Sequence, residues 1–312
     1  MPRALVTGGA GFLGSHLCDS LLADGWEVVA LDNLATSRRE NIVHLDGEPR
    51  FRFREADVTK PFDEEGEIAA VVHLASRPSP VDYLQNPIPT LETGSYGTQH
   101  ALELARRKGA RCLVASSSEV YGDPGEHPQR ETYNGNVNPV GLRSAYDESK
   151  RFSEALAAAY HRHHGVDTKI ARIFNTYGPR MRHDDGRVVP AFILAALRGE
   201  PLIVFDGGER TRSFCYVSDL VDGLKRLLES SVNDPVNLGN PTELSVREFA
   251  QLVIRLTGSA SEIRSAPAPT ADDPKLRRPD ISRARERLGW QPAIGIEEGL
   301  RRTIEWFRRQ LM

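Results

Sequence analysis

The glycine-rich run Gly8-Gly9-Ala10-Gly11-Phe12-Leu13-Gly14 restricts the fold of this chain more than any other stretch. It follows a short strand pattern, Ala4–Thr7, and opens a helical pattern over Leu13–Asp24. Both a Gly9-x-Gly11-x-x-Gly14 and a Gly8-x-x-Gly11-x-x-Gly14 spacing are present. Glycine suits this place because the turn is tight and a pyrophosphate must reach bare backbone at a helix N-terminus. Asp32 closes the second strand 18 residues after Gly14, where a carboxylate accepts hydrogen bonds from an adenosine ribose diol. Negative charge there repels a 2′-phosphate, so the expected cofactor is NAD rather than NADP, a preference tempered by Arg38 and Arg39. The expected cofactor-binding residues are Gly8, Gly11, Phe12, Leu13, Gly14, Asp32 and Asn33, with Asp57 and Val58 after a third strand reading the adenine edge. An ordinary turn acid is nearly as good an account of Asp57.

The pattern that follows extends this start into an α/β architecture. Glu27–Leu31, Ala70–Leu74, Arg111–Ser116 and Lys169–Phe174 read as further buried parallel strands. Thr93–Lys108 and Tyr146–His163 read as the helices between them. Such alternation implies a Rossmann-type, doubly wound parallel sheet covered on both faces. After Phe174 the pattern breaks into a Gly-, Pro- and Arg-rich stretch. Helices then read over Val189–Arg198, Asp219–Ser230, Ser245–Thr257 and Ile296–Gln310, with short strands at Leu202–Phe205 and Val236–Leu238 and an irregular segment at Ala266–Ser282. The expected division is an NAD-binding domain of residues 1–174 with 213–238, and a smaller, interleaved C-terminal substrate-binding lobe of 175–212 with 239–312.

Composition excludes several classes. A net charge of −3 recommends neither nucleic acid nor an anionic membrane surface, and no apolar run reaches spanning length. The chain enters a strand directly after Met1-Pro2-Arg3, which leaves no room for a signal peptide. Three widely spaced cysteines fit neither a disulfide framework nor a zinc cluster. Buried free thiols in a cytoplasmic protein, with no metal, are the expectation.

Chemistry concentrates in Ser116-Ser117-Ser118-Glu119-Val120-Tyr121-Gly122 and Ser144-Ala145-Tyr146-Asp147-Glu148-Ser149-Lys150. Tyr146 and Lys150, four apart, share one helix face. A free phenol titrates near 10, so base work at neutral pH needs a shift of about 3 units. A nearby ammonium and a cationic nicotinamide favour the phenolate. Ser117, at a strand end, can hydrogen-bond the same substrate hydroxyl. A cofactor-binding sensor with no chemistry is the opposing class, but a binder has no need of Ser117, Tyr146 and Lys150 together.

With these residues in place, the chain resembles the extended short-chain dehydrogenases/reductases of the NAD-dependent epimerase/dehydratase family that modify nucleotide sugars, most closely the UDP-glucuronate decarboxylases (UDP-xylose synthases). The resemblance runs over nearly the whole chain. It rests on Gly8–Gly14, His73-Leu74-Ala75-Ser76, Ser118–Pro124, His127-Pro128-Gln129, Tyr146-Asp147-Glu148 with Lys150-Arg151, Ile173–Met181, Asp185-Gly186-Arg187-Val188-Val189, Thr211–Phe214 and Arg278-Pro279-Asp280. It implies that Tyr146 takes the proton from the sugar C4 hydroxyl while NAD takes the C4 hydride. The resulting ketone is β to the C6 carboxylate, so carbon dioxide can leave; proton and hydride return then give UDP-xylose. It places Leu74, Ala75 and Ser76 beside NAD, Ser117 on the C4 hydroxyl, and Ser118 and Glu119 near C5 and C6. It further places Asn175, Arg187, Val188 and Arg212 on the UDP moiety, with Arg278 or Arg277 reaching the phosphates; a surface salt bridge is the blander role for either. A homodimer through the helices near Thr93–Lys108 and Tyr146–His163 is also implied.

Neighbouring chemistries remain open at this point. Sugar 4,6-dehydratases place an Asp where this chain has Ser118, a poor acid, which disfavours dehydration. C4 epimerisation of UDP-glucuronic acid is the runner-up, since it needs only the Ser117, Tyr146 and Lys150 set and a restrained carboxylate. Three departures from the decarboxylase pattern keep it in play: Asn134 for a usual Trp, Ser149 for a Gly or Ala, and Arg77 for a small or apolar residue. Arg77 would serve an epimerase by clamping the substrate carboxylate; an arginine turned to solvent or to the cofactor phosphates is the simpler expectation.

Overall fold

The computed structural model describes residues 1–267 and 276–311. Strands β1 (Arg3–Thr7), β2 (Glu27–Asp32), β3 (Phe51–Glu55) and β4 (Ala70–His73) open the fold, with helix α1 (Phe12–Ala23) after β1. Two short helices, α2 (Pro80–Gln85) and α3 (Pro87–Glu92), lead through a π turn at Thr93–Gly97 into α4 (Thr98–Lys108). Next come β5 (Arg111–Ser117), the long α5 (Ser144–His164) and β6 (Thr168–Ile173). The remainder comprises β7 (Thr176–Tyr177), α6 (Val188–Arg198), β8 (Leu202–Phe205), β9 (Thr211–Ser213), β10 (Cys215–Tyr216), α7 (Val217–Glu229), β11 (Val236–Leu238) and β12 (Glu243–Ser245). It closes with α8 (Val246–Thr257), β13 (Ile263–Ala266), α9 (Ser282–Leu288) and α10 (Ile296–Leu311).

Seven of these strands form one parallel sheet in the order β11-β6-β5-β4-β1-β2-β3. Strand period assigns alternate side chains to opposite faces. Ala4 and Val6 therefore join the core with Leu17 and Leu21 of α1 and Leu220 and Leu224 of α7. Leu5, Val71 and Val114 join Leu102 and Ala105 of α4 and Ala157 of α5 on the other face. The first of these cores continues without a break into Phe192, Phe249 and Phe307 of the later helices.

Most strands and helices read from the sequence lie within a residue or two of their observed bounds. The helix expected from Thr93 is in fact approached by α3 and the π turn, which the prolines at 80, 87 and 89 obscure. Gly94 in that turn lets it close on α5: a Cβ there would stand 2.5 Å from Ser149 Cβ. Ser149 and Ser153 complete the contact, Ser153 donating to the Gly94 carbonyl at 2.8 Å. This packing fixes the helix that carries Tyr146 and Lys150. Part of the expected irregular segment Ala266–Ser282 lies outside the described residues, 268–275. Ala266 itself ends β13, and Pro279 bridges to Gln129.

Candidate active site

The carboxyl ends of the sheet strands open into a cavity of about 740 Å³ roofed by the later segments. Gly8, Gly11, Phe12, Leu13, Gly14, Asp32, Asn33, Val58, Leu74, Ala75 and Ser76 all stand on its wall. Gly8 has φ +70°, and a Cβ at Gly14 would lie 2.0 Å from the Gly8 carbonyl oxygen, so the turn closes only without side chains. No side chain caps the start of α1, which leaves its first N–H groups for a ligand. Asp32 accepts from Leu34 N–H at 2.9 Å and Ser37 Oγ at 2.7 Å through Oδ1, and from Ala10 N–H at 3.1 Å through Oδ2. A carboxylate has about four lone-pair sites, so one remains for a ribose hydroxyl. The turn and this oriented acid fit a dinucleotide without a 2′-phosphate. Asp57 Oδ1 accepts from Thr59 N–H at 2.9 Å, in a turn beside the cavity. Ala56 and Val58 flank the cavity.

The other end gathers the hydroxyls and charges. Ser117 ends β5, and its Oγ accepts from the Glu119 N–H at 3.3 Å, starting the short turn that carries Ser118 and Glu119. Tyr146 and Lys150 project from the first turns of α5 and are both buried. Lys150 Nζ donates to the Ala115 carbonyl at 2.8 Å and lies 5.7 Å from the Tyr146 ring centroid. Burial pushes the Lys150 ammonium down to about 8. It pushes the Tyr146 phenol up to about 12, against the hydrogen bond to Ser117.

Glu119 is the most heavily paired group of the site. Arg277 clasps it with Nη1 to Oε1 at 2.6 Å and Nη2 to Oε2 at 2.8 Å, and Arg143 adds Nη2 to Oε2 at 2.7 Å. Burial alone raises its carboxyl, but the two guanidiniums outweigh that and hold it down to about 2. Asp147, nearby and buried, goes the other way, to about 7, through burial and the Glu119 charge.

Arg277 and Arg278, either of which was expected to reach the phosphates, sit differently. Arg278 is not on the cavity wall, and its Nη1 lies 3.8 Å from Glu243 Oε2. Arg277 lines the cavity and is buried against Glu119. Asn175, Arg187, Val188 and Arg212 do line the cavity. Arg187 is held by Asp185 through Nε at 2.7 Å. Arg77 also lines it, yet makes no hydrogen bond or ion pair among the described residues, so nothing in the fold pins it as a clamp.

Sequence reasoning missed Tyr83 and Arg143. The Tyr83 ring stacks on Tyr146 with centroids 5.4 Å apart and planes 12° apart, and Arg143 covers it at 5.7 Å. The Tyr83 hydroxyl is buried on the cavity wall with no hydrogen-bond partner among the described residues. No local pattern signals either residue, because both matter only through contacts across the cleft.

A dinucleotide turn and a buried Ser117–Tyr146–Lys150 set on one cavity define an enzyme of the short-chain dehydrogenase type. The chain belongs to the NAD dependent epimerase/dehydratase family, whose model matches residues 4–239. It is 52% identical over 309 residues to UDP-glucuronic acid decarboxylase 1 of Xenopus tropicalis, covering 99% of this chain and 73% of that protein. Among solved structures it is similar to UDP-glucose 4-epimerase of Thermotoga maritima with UDP-glucose, at a TM-score of 0.91, 30% identity, and 99% and 100% coverage. The dTDP-glucose 4,6-dehydratase DesIV of Streptomyces venezuelae, with NAD bound, gives 0.89, 29%, and 98% and 97%. Among the described residues, no helix is long and apolar enough to cross a membrane.

Proposed function

We propose that this chain is an NAD-dependent decarboxylase that converts UDP-glucuronic acid to UDP-xylose through a transient C4 ketone. The observation that carries this reading is the 52% identity, over 99% of the chain, to a UDP-glucuronic acid decarboxylase. Site chemistry agrees with it. NAD held by Gly8–Gly14 and Asp32 supplies a hydride acceptor and donor for the sugar C4. Tyr146 accepts the C4 hydroxyl proton where the cationic nicotinamide of bound NAD and the Lys150 ammonium together offset the burial that raises its phenol, and Ser117 orients that hydroxyl. Once C4 is a ketone, the C5–C6 bond can break with its electrons delocalised onto the C4 oxygen. Carbon dioxide leaves, and C5 takes a proton in its place.

Ser118 argues against dehydration. It stands where a dehydratase carries the Asp that expels the C6 hydroxyl, and a hydroxyl is a poor acid. The C4-epimerase reading is the weaker one, since the relatives matched over nearly the whole chain are named UDP-glucuronic acid decarboxylases. We assign Glu119, with its guanidinium partners, to the C5–C6 end of the sugar, and Asn175, Arg187, Val188 and Arg212 to the UDP end. The cofactor domain is assigned residues 1–174 with 213–238, and the UDP-sugar lobe 175–212 with 239–312. Exposed Ile88, Tyr96 and Phe152 on α3, the π turn and α5 support a homodimer through that face. Three buried free cysteines fit the cytoplasm.

The test is carbon dioxide release from UDP-glucuronic acid labelled at C6. Wild type should release label with NAD present, and Tyr146→Phe should lose turnover by about three orders of magnitude or more while still binding UDP. Near-normal turnover in that variant would sink the assignment.

A further inference from the structure

Arg277 reaches Glu119 from a stretch with no regular structure, which raises the question of what holds it there. Leu276–Ile281 belongs to no helix or strand. The Arg277 carbonyl accepts only from Ser213 Oγ, at 3.3 Å, among the described residues. The next residue is held much more firmly, and by a single partner. Gln129 N–H donates to the Arg278 carbonyl at 2.9 Å, and Arg278 N–H donates to Gln129 Oε1 at 2.8 Å. The Gln129 carbonyl accepts from Asp280 N–H at 2.8 Å and from Asn237 Nδ2 at 3.0 Å. Its Nε2 donates to the Glu126 carbonyl at 2.8 Å, which fixes the amide's orientation. Gln129 is 1% exposed, so each of these bonds is made away from competing water.

We infer that Gln129 is a positioning residue for the proposed reaction, setting the Arg277 guanidinium against Glu119 by locking both backbone groups of Arg278. The inference rests on the decarboxylase reading above. Its physical basis is leverage. The Gln129 backbone already bridges this segment at Pro279; its side-chain amide adds the bond to the Arg278 N–H, and the bidentate pair tolerates little displacement. Loss of the Oε1 acceptor frees one end of Arg278 and lets the guanidinium drift from Glu119.

The experiment is a double-mutant cycle of Gln129→Met, nearly the same shape without the amide, with Arg277→Gln. Gln129→Met should lower kcat by about 100-fold, the effect of roughly 1 Å of misplacement, with KM for UDP-glucuronic acid nearly unchanged. NAD affinity, measured by titration, should match wild type and show that the variant is folded. In the Arg277→Gln background the same change should cost nothing further. Full kcat in Gln129→Met, or an equal loss with and without Arg277, would overturn the inference. If the wild type turns over no UDP-glucuronic acid, the functional reading fails on its own. The same cycle then decides on Gln129 through the affinity for that nucleotide sugar, read by calorimetry: coupling to Arg277 supports it and additivity rejects it.

Discussion

Glu119 and Asp147 share one buried pocket of charge and are driven in opposite directions, Glu119 to about 2 and Asp147 to about 7. Asp147 binds its proton more tightly folded than unfolded, where 3.8 is ordinary. The stability this supplies is complete below about 4 and is lost as pH rises through 7. Glu119 contributes the reverse, present above 4.5 and lost as pH falls toward 2. Among the described residues the buried Asp147 Oδ1 has no hydrogen-bond partner, so its ionised form is poorly compensated. Asp147→Asn should therefore melt higher than wild type at pH 8 and equally at pH 4; a difference of the same size at both values would reject the charge account. At this scale the sequence was readable where chemistry is local. Ser117, Tyr146 and Lys150 announce themselves by a strand end and an i, i+4 spacing. Arg277 does not, because its partner Glu119 lies 158 residues away and nothing between them marks the contact. Arg278, one residue on, has the same composition signal and points to the surface.

Elements position these residues by close approach. The β1–α1 turn closes because Gly14 carries no Cβ, and Gly14→Ala would drive the Gly8 carbonyl out of place. The displaced N–H groups should cost NAD affinity roughly 10- to 100-fold, the loss of one hydrogen bond to a charged group. Titration of the purified variant with NAD checks this, and wild-type affinity would show that the turn does not hold the pyrophosphate. Long strands with continuous Val, Leu and Ala were legible because burial on both faces leaves an unbroken apolar run. β7, β9, β10 and β12, of two or three residues each, were not, since no period can be seen at that length. Their partners are also remote: β9 pairs with β12 and β7 with β10. Asp57 was ambiguous for a related reason: a strand-end acid that reads a base and one that caps its own turn leave the same trace in sequence, and its bond from Thr59 N–H is compatible with both.

On the scale of the whole molecule, one interior runs from the sheet into the later helices, and residues of both line the cavity. Ile88 at 63% exposure and Phe152 at 48% offer apolar surface to the proposed homodimer. Light scattering should give twice the 34.6 kDa chain mass for wild type and the single mass for the Ile88→Glu, Phe152→Glu double variant. A monomeric wild type would reject the dimer. The central claim, a C4 ketone that loses the neighbouring carboxylate, is tested most directly by proton NMR of UDP-glucuronic acid turned over with NAD in deuterated water. The account predicts UDP-xylose with one deuterium at C5 and the original hydrogen retained at C4. A hexuronic acid inverted at C4 with its carboxylate intact would contradict it.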